Sequence, residues 1–450
     1  MEARRFKAAT PLLLFLLLTP VVMRSQNFTT STWESLGPEG GFLIALARNP
    51  QSGDLFTVTY DYPSRLFKST NNGDSWTSGW TFEVTIGFLA VNPNNPLTMY
   101  AIPTNLSSAN TIGIYKSVNE GGEWSRITTT SQPDVYYYPN DFHIDSKDPN
   151  KLSIVGYSYT YTPTGTYGSF SFKSTNGGST WTLKTFGGVS IDQFYAYSAE
   201  VDPSDPNTQY VGGLTIRGDG YTNPKVFKTT DNGTSWNDIT GTTIQGYVYD
   251  LLIDPVSPNK LYAVSSGGVY RSTNKGATWL TPNVGYAWGS KLFFDPNNTS
   301  TLYAYGSGNT CFWSNDGGQS WVALGTSLPG GVCNQLVIQP PNANTLHAVT
   351  RAGYFKSTNG GQTWTGSNTG LLASEIPVLK CAPSSPKTMF ISFLYNGLFK
   401  TSNTLGKSTP SATTAVGWQK LPEYSYCEGI MKMEVSPTDP NILYIQEGAS

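Results

Sequence analysis

Clusters of tyrosine and tryptophan precede several predicted strands of this chain, and they are its best candidates for binding chemistry. Both side chains combine an apolar ring with a polar tip, which suits stacking on sugar rings or contact with another protein. Packing between neighbouring structural units is the alternative role for each ring, so the prediction rests on the clusters as a set. The candidate ligand-binding residues are Tyr136, Tyr137, Tyr138, Tyr195, Tyr197, Tyr247, Tyr249, Tyr286, Trp288, Tyr424 and Tyr426.

Residues for acid–base or metal chemistry are sparse. The only histidines are His143 and His347, and the four cysteines show no Cys-x-x-Cys spacing, which argues against a zinc cluster, a histidine-based triad or any cofactor. Asp141, Glu200 and Asp250 occupy polar positions of otherwise apolar strands, where they are weak catalytic candidates or line a channel. The cysteines have two alternative roles, which are disulfide pairing between neighbouring units and burial as free thiols. They are Cys311, Cys333, Cys381 and Cys427.

A repeated octet positions these residues. It reads Ser or Thr, any residue, Asn or Asp, any residue, Gly, any residue, usually Ser or Thr, and Trp, with seven copies between Ser69 and Trp364. A short apolar or aromatic run precedes almost every copy, so the octet predicts a hairpin turn that its tryptophan covers. An eighth, degenerate copy begins at Thr401 and reaches Trp418 after an insertion. The residues with this structural role are Asn71, Gly73, Trp76, Asn119, Trp124, Asn176, Gly178, Trp181, Asp231, Gly233, Trp236, Asn274, Gly276, Trp279, Asp316, Gly318, Trp321, Asn359, Gly361 and Trp364.

A second marker lies upstream of each octet. An apolar strand ends in Asp-Pro or a variant of it, and a strand of the Leu-Tyr-Ala type, such as Leu261 to Ala263, follows about five residues later. Four antiparallel strands in each repeat predict the blade of a β-propeller. We therefore expect an all-β fold with a single propeller of about eight to nine four-stranded blades. The aromatic clusters should gather at one mouth of its central channel.

The last blade of this propeller is predicted to be incomplete. Nine inner strands can be counted, and only eight of them are followed by an octet. A three-stranded ninth blade, open ends of the ring and a chain that continues beyond Ser450 are the alternatives that the sequence leaves open.

Composition and the first residues bear on location and partners. Charged residues make up 13% of the chain and the net charge is -2, which excludes the basic surface of a nucleic-acid binder. Basic residues precede the apolar run Leu12 to Leu18, and Ser25 follows it, which is typical of a secretory signal peptide. We expect a signal peptide at 1–25, a propeller at 26–450, no membrane span in the mature chain, and a secreted or periplasmic monomer.

The octets resemble Asp-box repeats, also called BNR repeats, over about residues 33 to 445. This resemblance implies a propeller of the superfamily that includes sortilin, xyloglucanases and photosystem II assembly factors. It says little about activity, because the boxes of that superfamily lie at the blade periphery. Sialidases also carry these boxes, but the Arg-Ile-Pro motif that the resemblance would require is absent here.

The resemblance to xyloglucanases implies a candidate catalytic carboxylate. Asp61 follows the second strand of the first blade, a place similar to that of a catalytic aspartate in those enzymes, although Pro63 and Ser64 replace the family's Gly-Gly. Such enzymes need a second carboxylate across a cleft, one acting as acid and one as base. That partner would come from a second propeller, for which this chain is too short.

The leading hypothesis is a secreted, non-enzymatic propeller whose aromatic face around the channel binds a glycan or an extracellular protein. The first alternative is a glycoside hydrolase of the xyloglucanase type that uses paired carboxylates. The second is a protein-binding propeller of the sortilin or assembly-factor kind. The sequence does not decide whether the chain is an enzyme.

Overall fold

The computed structural model describes this chain between residues 40 and 447, so the predicted signal peptide lies outside the described residues. Most of the degenerate octet that ends at Trp418 also lies outside them. All described regular structure is β-strand, and no helix among these residues is long and apolar enough to cross a membrane. The internal segments that are not described are 109–110, 131–133, 146, 162–165, 187–193, 217–221, 282–290, 296, 306–310, 325–327, 329–331, 341, 369–370, 372–377, 383, 394–396, 402–418, 422–429 and 437.

The strands form consecutive antiparallel sheets, each built from neighbours in the sequence. The first four sheets contain β1 Leu43–Arg48, β2 Leu55–Thr59, β3 Arg65–Ser69 and β4 Thr77–Thr81; β5 Ile86–Val91, β6 Met99–Pro103, the short β7 Ser107–Ser108, β8 Thr111–Ser117 and β9 Ser125–Thr130; β10 Val135–Ile144, β11 Leu152–Thr160, β12 Thr166–Ser174 and β13 Thr182–Thr185; and β14 Phe194–Val201, β15 Gln209–Ile216, β16 Thr222–Thr229 and β17 Asn237–Asp238.

Three more sheets have the same order from inner to outer strand. They contain β18 Val248–Ile253, β19 Leu261–Ser265 and β20 Gly268–Ser272; β21 Lys291–Asp295, β22 Asn298–Tyr305, β23 Phe312–Ser314 and β24 Val322–Ala323; and β25 Cys333–Gln339, β26 Asn342–Thr350, β27 Gly353–Ser357 and β28 Thr365–Gly366. In the fifth sheet a single bridge between Arg271 and Leu280 stands in place of the fourth strand.

These seven sheets, which we call blades 1 to 7, close into a ring. Asn334 Nδ2 of blade 7 donates to the carbonyl of Leu43 in blade 1 at 2.7 Å, and Trp76 Nε1 of blade 1 donates to the carbonyl of Ser367 at 3.1 Å. The all-β propeller fold is confirmed, but the expected ring of eight to nine blades is corrected to seven. The sequence repeat specifies a blade, whereas contacts between blade faces set the number of blades that close.

Two further sheets follow blade 7. The first contains β29 Val378–Ala382, β30 Ser385–Phe393, β31 Gly397–Thr401 and β32 Gln419–Lys420, and the second contains β33 Ile430–Val435 and β34 Leu443–Glu447. They share an apolar cluster that includes Phe390, Leu398 and Met433. The repeat therefore continues along the chain after the ring has closed.

The octets form the predicted turns between the third and fourth strands. In the first copy, the N–H of Gly73 donates to Ser69 Oγ at 2.9 Å, and the N–H of Ser75 donates to Asn71 Oδ1 at 2.9 Å. The other six copies repeat both bonds. The octet positions that the sequence shares are thus the ones that satisfy the backbone of the turn.

The octets also join neighbouring blades. A tyrosine in the second strand of one blade donates its hydroxyl to the carbonyl of the fourth octet residue in the next blade. Tyr100 reaches Gly177 at 3.1 Å, and Tyr262 reaches Gly317 at 3.0 Å. The tyrosine of the Leu-Tyr-Ala marker is therefore an inter-blade contact, and these rings are buried.

Blade 7 makes this contact differently because His347 takes the tyrosine position in its second strand. His347 is fully buried, as its place in the strand predicts. Its Nδ1 lies 2.6 Å from the Tyr354 hydroxyl, its Nε2 lies 3.2 Å from Gln339 Oε1, and the same hydroxyl lies 3.5 Å from the carbonyl of Asn72 in blade 1. Burial first, and then the charges of Lys356 and Arg48, lower the pKa of His347 to about 3.

Acid should therefore destabilise the ring through His347, and His347→Gln should reduce this sensitivity. The unfolded chain binds a proton near pH 6.5, while the folded chain keeps the imidazole neutral down to about pH 3. Stability is thus lost as the pH falls through this window, at up to about 1.4 kcal/mol per pH unit. Urea unfolding between pH 7 and pH 4 measures the slope, and equal slopes for both proteins would contradict the assignment.

Candidate functional site

The two faces of the ring, at opposite ends of its inner strands, have different roles. Octets hydrogen-bond to the turn that follows the inner strand of their own blade, as when the N–H of Gly177 donates to the carbonyl of Asn150 at 2.9 Å. The start of each inner strand lies at the opposite end, together with the end of the second strand. We call this opposite end the entry face, and it is where the sequence predicts a binding surface.

Bulges shape the inner strands near the entry face. In blades 1 to 5 and 7, the pairing of the inner strand shifts at one residue, which lies five positions before the Asp-Pro marker or its variant. In blade 3 this residue is Asn140, whose Nδ2 donates to the carbonyl of Ala196 in blade 4 at 2.8 Å. In blades 4 and 5 it is Tyr197 and Tyr249, whose rings lie 6.0 Å apart. A bulge turns one side chain toward the next blade.

Tyrosines from blades 3 to 5 form two groups of contacting rings on the entry face. Tyr138 stacks on Tyr157 with ring centres 4.9 Å apart, and Tyr195 lies 5.8 Å from Tyr157 and 5.5 Å from Tyr167. Tyr249 connects Tyr197 to Tyr247, at 6.0 and 6.2 Å. We call this surface the tyrosine platform, and its members are Tyr138, Tyr157, Tyr159, Tyr167, Tyr195, Tyr197, Tyr247 and Tyr249.

Three platform residues were not predicted from the sequence. Tyr157, Tyr159 and Tyr167 lie on β11 and β12, which are nine residues long, whereas the equivalent strands of blade 1 have five. The longer hairpin carries its rings beyond the bulge of β10, where Tyr159 lies 4.8 Å from Tyr167. The alternation of tyrosines at 157, 159 and 161 was the signal that places these side chains on one face.

Other predicted binding residues fall elsewhere. Tyr137 is buried between Phe170 and Phe172, so the expectation that it faces the mouth is corrected. The alternation of β10 accounts for this, because Tyr136 and Tyr138 point to the other side and Tyr136 is exposed. The remaining candidates lie outside the described residues, and these are Tyr286, Trp288, Tyr424 and Tyr426.

The surroundings of several platform tyrosines hold their hydroxyls in the neutral, hydrogen-bonding form. Burial first, and then the neighbouring Tyr167, Tyr197 and Tyr157, raise the pKa of Tyr195 to about 12. Burial also raises the pKa of Tyr249. The surface therefore offers ring faces together with uncharged donors and acceptors, and it lacks the charge that would select an ionic ligand.

The predicted channel carboxylates do come together below the platform. Asp141, Glu200 and Asp250 line a central cavity of about 510 Å³. Ser198 Oγ lies 3.0 Å from Asp141 Oδ2 and 3.1 Å from Asp250 Oδ1, and it accepts the N–H of Leu251 at 3.2 Å. A hydroxyl donates one proton, so both carboxyl contacts are hydrogen bonds only when one carboxyl group is protonated.

Lys291 of blade 6 completes this group. Its Nζ lies 2.9 Å from Asp250 Oδ1, and the N–H of Leu292 donates to Asp250 Oδ2 at 2.9 Å. Burial opposes the charge of Lys291, but Asp250 and then Asp141 outweigh it and raise the pKa of the ammonium. Burial, followed by Asp141 and Asp250, raises the pKa of Glu200 well above its ordinary value. These contacts join four consecutive blades, and we call the five residues the channel cluster: Asp141, Ser198, Glu200, Asp250 and Lys291.

Asp61 lies on the entry face in blade 1, at the end of β2. Its carboxylate accepts a hydrogen bond from Thr59 Oγ1 and pairs with Arg65 Nη2 at 3.5 Å, while its carbonyl accepts the Ser64 hydroxyl at 2.9 Å. It is buried, with 9% of its surface exposed. The carboxylate oxygens therefore have partners within their own loop, and Asp61 lies in a different blade from the channel cluster.

Metal-binding geometry is absent from the part of the chain that the structure describes. No group of three or more His, Cys, Asp and Glu side chains there is placed to hold a metal ion. His143 lines the central cavity, and burial lowers its pKa. The arrangement can bind through ring stacking and neutral hydrogen bonds.

Two known proteins are similar to this chain in sequence over part of their length. No known protein-family profile matches the chain. A xyloglucanase from Paenibacillus sp is 29% identical over 173 residues, which cover 27% of this chain and 16% of that protein. The xyloglucanase Xgh74A of Acetivibrio thermocellus is 25% identical over 313 residues, covering 56% of this chain and 36% of that protein. The chain thus spans only about a third or less of the curated relatives it matches.

Solved structures with a similar chain path include two kinds of propeller. YCF48 from Cyanidioschyzon merolae has a TM-score of 0.47 and 13% identity, with 74% of this chain and 100% of that chain covered. A GH74 enzyme from Niastella koreensis has a TM-score of 0.41 and 17% identity, with 85% and 70% covered. In sequence the chain is similar to proteins named as xyloglucanases, one of the groups that the resemblance of the octets names.

Proposed function

We propose that this chain is a secreted propeller that binds a polysaccharide of the xyloglucan type on the tyrosine platform. The observation that carries the proposal is the presence of two groups of contacting tyrosine rings, drawn from three blades, on the entry face. Sugar rings present apolar C–H faces and a rim of hydroxyls, which match ring faces and neutral phenol groups. The curated relatives are named as xyloglucanases, which supports this class of polysaccharide over others.

The long β11–β12 hairpin is the part of the platform most open to a ligand. Tyr167 is 43% exposed, and its ring contacts both Tyr159 and Tyr195. Tyr157 lies between Tyr138 and Tyr195. A polysaccharide on this hairpin would run toward the channel mouth and place successive sugar rings over successive tyrosines.

Tyr157→Ala and Tyr167→Ala should each weaken binding of xyloglucan by about tenfold, and the double variant should bind too weakly to measure. Loss of one stacking ring corresponds to about 1.4 kcal/mol, which is a factor of ten in affinity. Isothermal titration calorimetry with xyloglucan oligosaccharides measures the effect. Tyr444→Ala is the matched control, because this ring is 64% exposed but lies on β34, outside the platform.

Two results would count against the proposal. A folded double variant that binds xyloglucan like the unchanged protein would exclude the platform as the binding surface. An unchanged protein that binds no β-glucan on an array, while it captures a peptide there, would favour the protein-binding alternative.

A glycoside hydrolase is the second candidate function, favoured by the names of the relatives and the place of Asp61 on the entry face. Asp61 pairs with Arg65 at 3.5 Å, so the carboxylate is held in place within its loop. Release of reducing ends from xyloglucan, lost in Asp61→Asn but kept in Asp54→Asn, would establish this activity. Binding without release of reducing ends would leave the first proposal standing.

A further inference from the structure

Two cysteines from neighbouring blades meet in the core of the ring. Cys311 directly precedes β23 of blade 6, and its carbonyl accepts the N–H of Leu324 at 2.8 Å. Cys333 is the first residue of β25, the inner strand of blade 7. Both belong to one apolar cluster, which also contains Tyr305 and Leu336.

The two thiol groups interact within this cluster. Cys333 forms a side-chain hydrogen bond with Cys311, and its Sγ also lies 3.5 Å from the carbonyl of Gln335. Both cysteines are free in the structure, with 4% and 5% of their surfaces exposed. The arrangement places two reduced thiols in one buried cluster at the interface between blades 6 and 7.

Burial limits when these thiols can react. Burial first, and then Cys311, raise the pKa of the Cys333 thiol, so the folded ring holds it in the unreactive protonated form. Reaction therefore belongs to the folding stage, when the blades are adjacent and the thiols are still accessible. A bond made at that stage would then be shielded from reductants by the closed ring.

We propose that Cys311 and Cys333 form a disulfide that links blades 6 and 7 when the chain folds in an oxidising environment. The oxidant is a small-molecule or protein disulfide. One cysteine thiolate attacks this disulfide and releases a thiolate, which takes up the proton. The second thiolate then attacks the mixed disulfide and forms the S–S bond. In total, two protein thiols are oxidised to one disulfide, and the oxidant is reduced to two thiols.

The position of this bond suits ring closure. Asn334, next to Cys333, donates to the carbonyl of Leu43, and Gln335 accepts the N–H of Leu46. The first residues of β25 therefore form the hydrogen bonds between blade 7 and blade 1. A disulfide with Cys311 would also link these residues covalently to blade 6.

The test refolds the full chain in a mixture of reduced and oxidised glutathione, followed by alkylation under denaturing conditions and a non-reducing digest. We expect a cross-linked pair of peptides that contain Cys311 and Cys333. We also expect the Tm of the oxidised protein to exceed that of the protein refolded in reductant by about 3 °C. Complete alkylation of both cysteines in the folded, oxidant-treated protein would overturn the proposal.

The other two cysteines require a separate variant. Cys381→Ala together with Cys427→Ala leaves one possible intramolecular pair, so a cross-link in this protein has a single assignment. Adding Cys311→Ser should remove the cross-link, leave Cys333 alkylated and abolish the difference in Tm between oxidised and reduced samples. A cross-link to Cys381 or Cys427 in the unchanged chain, without one between Cys311 and Cys333, would refute the assignment.

Discussion

Replacing Lys291 with methionine is expected to destabilise the propeller by about 2 kcal/mol, because it removes the one cation of the channel cluster, while the 35% exposure of the lysine side chain lets solvent screen part of the pair. Lys291 pairs with Asp250 at 2.9 Å, and its charge also acts on Asp141 and Glu200. Asp250 is buried, and Lys291 is the cation that compensates its charge. Methionine keeps the length of the side chain, so the loss reports the charge and not a cavity.

The pH dependence of this variant gives a second, independent readout. The pKa values of Glu200 and Asp250 are raised, so these carboxyl groups bind protons in the folded chain at a pH where the unfolded chain has lost them. The stability deficit of Lys291→Met should therefore shrink as the pH falls from 7 to 5. Urea unfolding of both proteins at each pH measures it, since the linkage relation ties the slope to proton uptake on folding.

Two further variants make the Lys291 prediction specific. Asp250→Asn in the Lys291→Met background should restore part of the stability, because it removes the unpaired buried charge. Lys151→Met is the surface control, since its pair with Asp148 is solvent-exposed and such pairs contribute about 0–1 kcal/mol. If Lys291→Met lies within about 1 kcal/mol of the unchanged protein at pH 7, the channel cluster does not depend on the lysine.

The fold was predictable because the blade is specified locally. Each octet contains a hydroxyl, an Asn or Asp oxygen and a glycine at the positions that satisfy its own turn, so the residues show the turn without any distant contact. The buried alternation before the Asp-Pro marker also holds, as Leu251 and Ile253 are buried. The same local character explains why the number of blades was wrong. Contacts such as that between Asn334 and Leu43 close the ring across the whole chain.

The candidate site was predictable in part. The clusters before the inner strands indicated the entry face, and Tyr138, Tyr195, Tyr197 and Tyr249 lie in the platform. The bulge was not visible, because an extra residue in a strand reverses the alternation on one side of it and leaves no composition signal of its own. The sequence did not indicate Ser198, because its contacts with two carboxylates depend on the packing of three blades.

Glycine opposite the bulge is the feature that should couple the platform to the stability of the ring. Gly156 pairs with Pro139 beside the bulge of β10, and a Cβ at residue 156 would lie 2.0 Å from the carbonyl oxygen of Tyr138. Gly213 has the same relation to Tyr195 in blade 4, at 1.9 Å. In both blades the backbone that carries a platform tyrosine lies directly against a glycine, and a backbone atom cannot move aside as a side chain can.

Gly156→Ala should therefore destabilise the chain by about 2–3 kcal/mol and weaken xyloglucan binding in the molecules that remain folded, because β10 must shift to admit the methyl group. Gly168→Ala is the matched control in the same hairpin: the nearest atom to its Cβ would be Ser158 Oγ at 3.4 Å, an ordinary contact. That variant should stay within about 0.5 kcal/mol of the unchanged protein. Thermal unfolding and calorimetric titration measure both effects. Equal stability of the two alanine variants would mean that the bulge yields without cost and that the glycine does not fix the position of Tyr138.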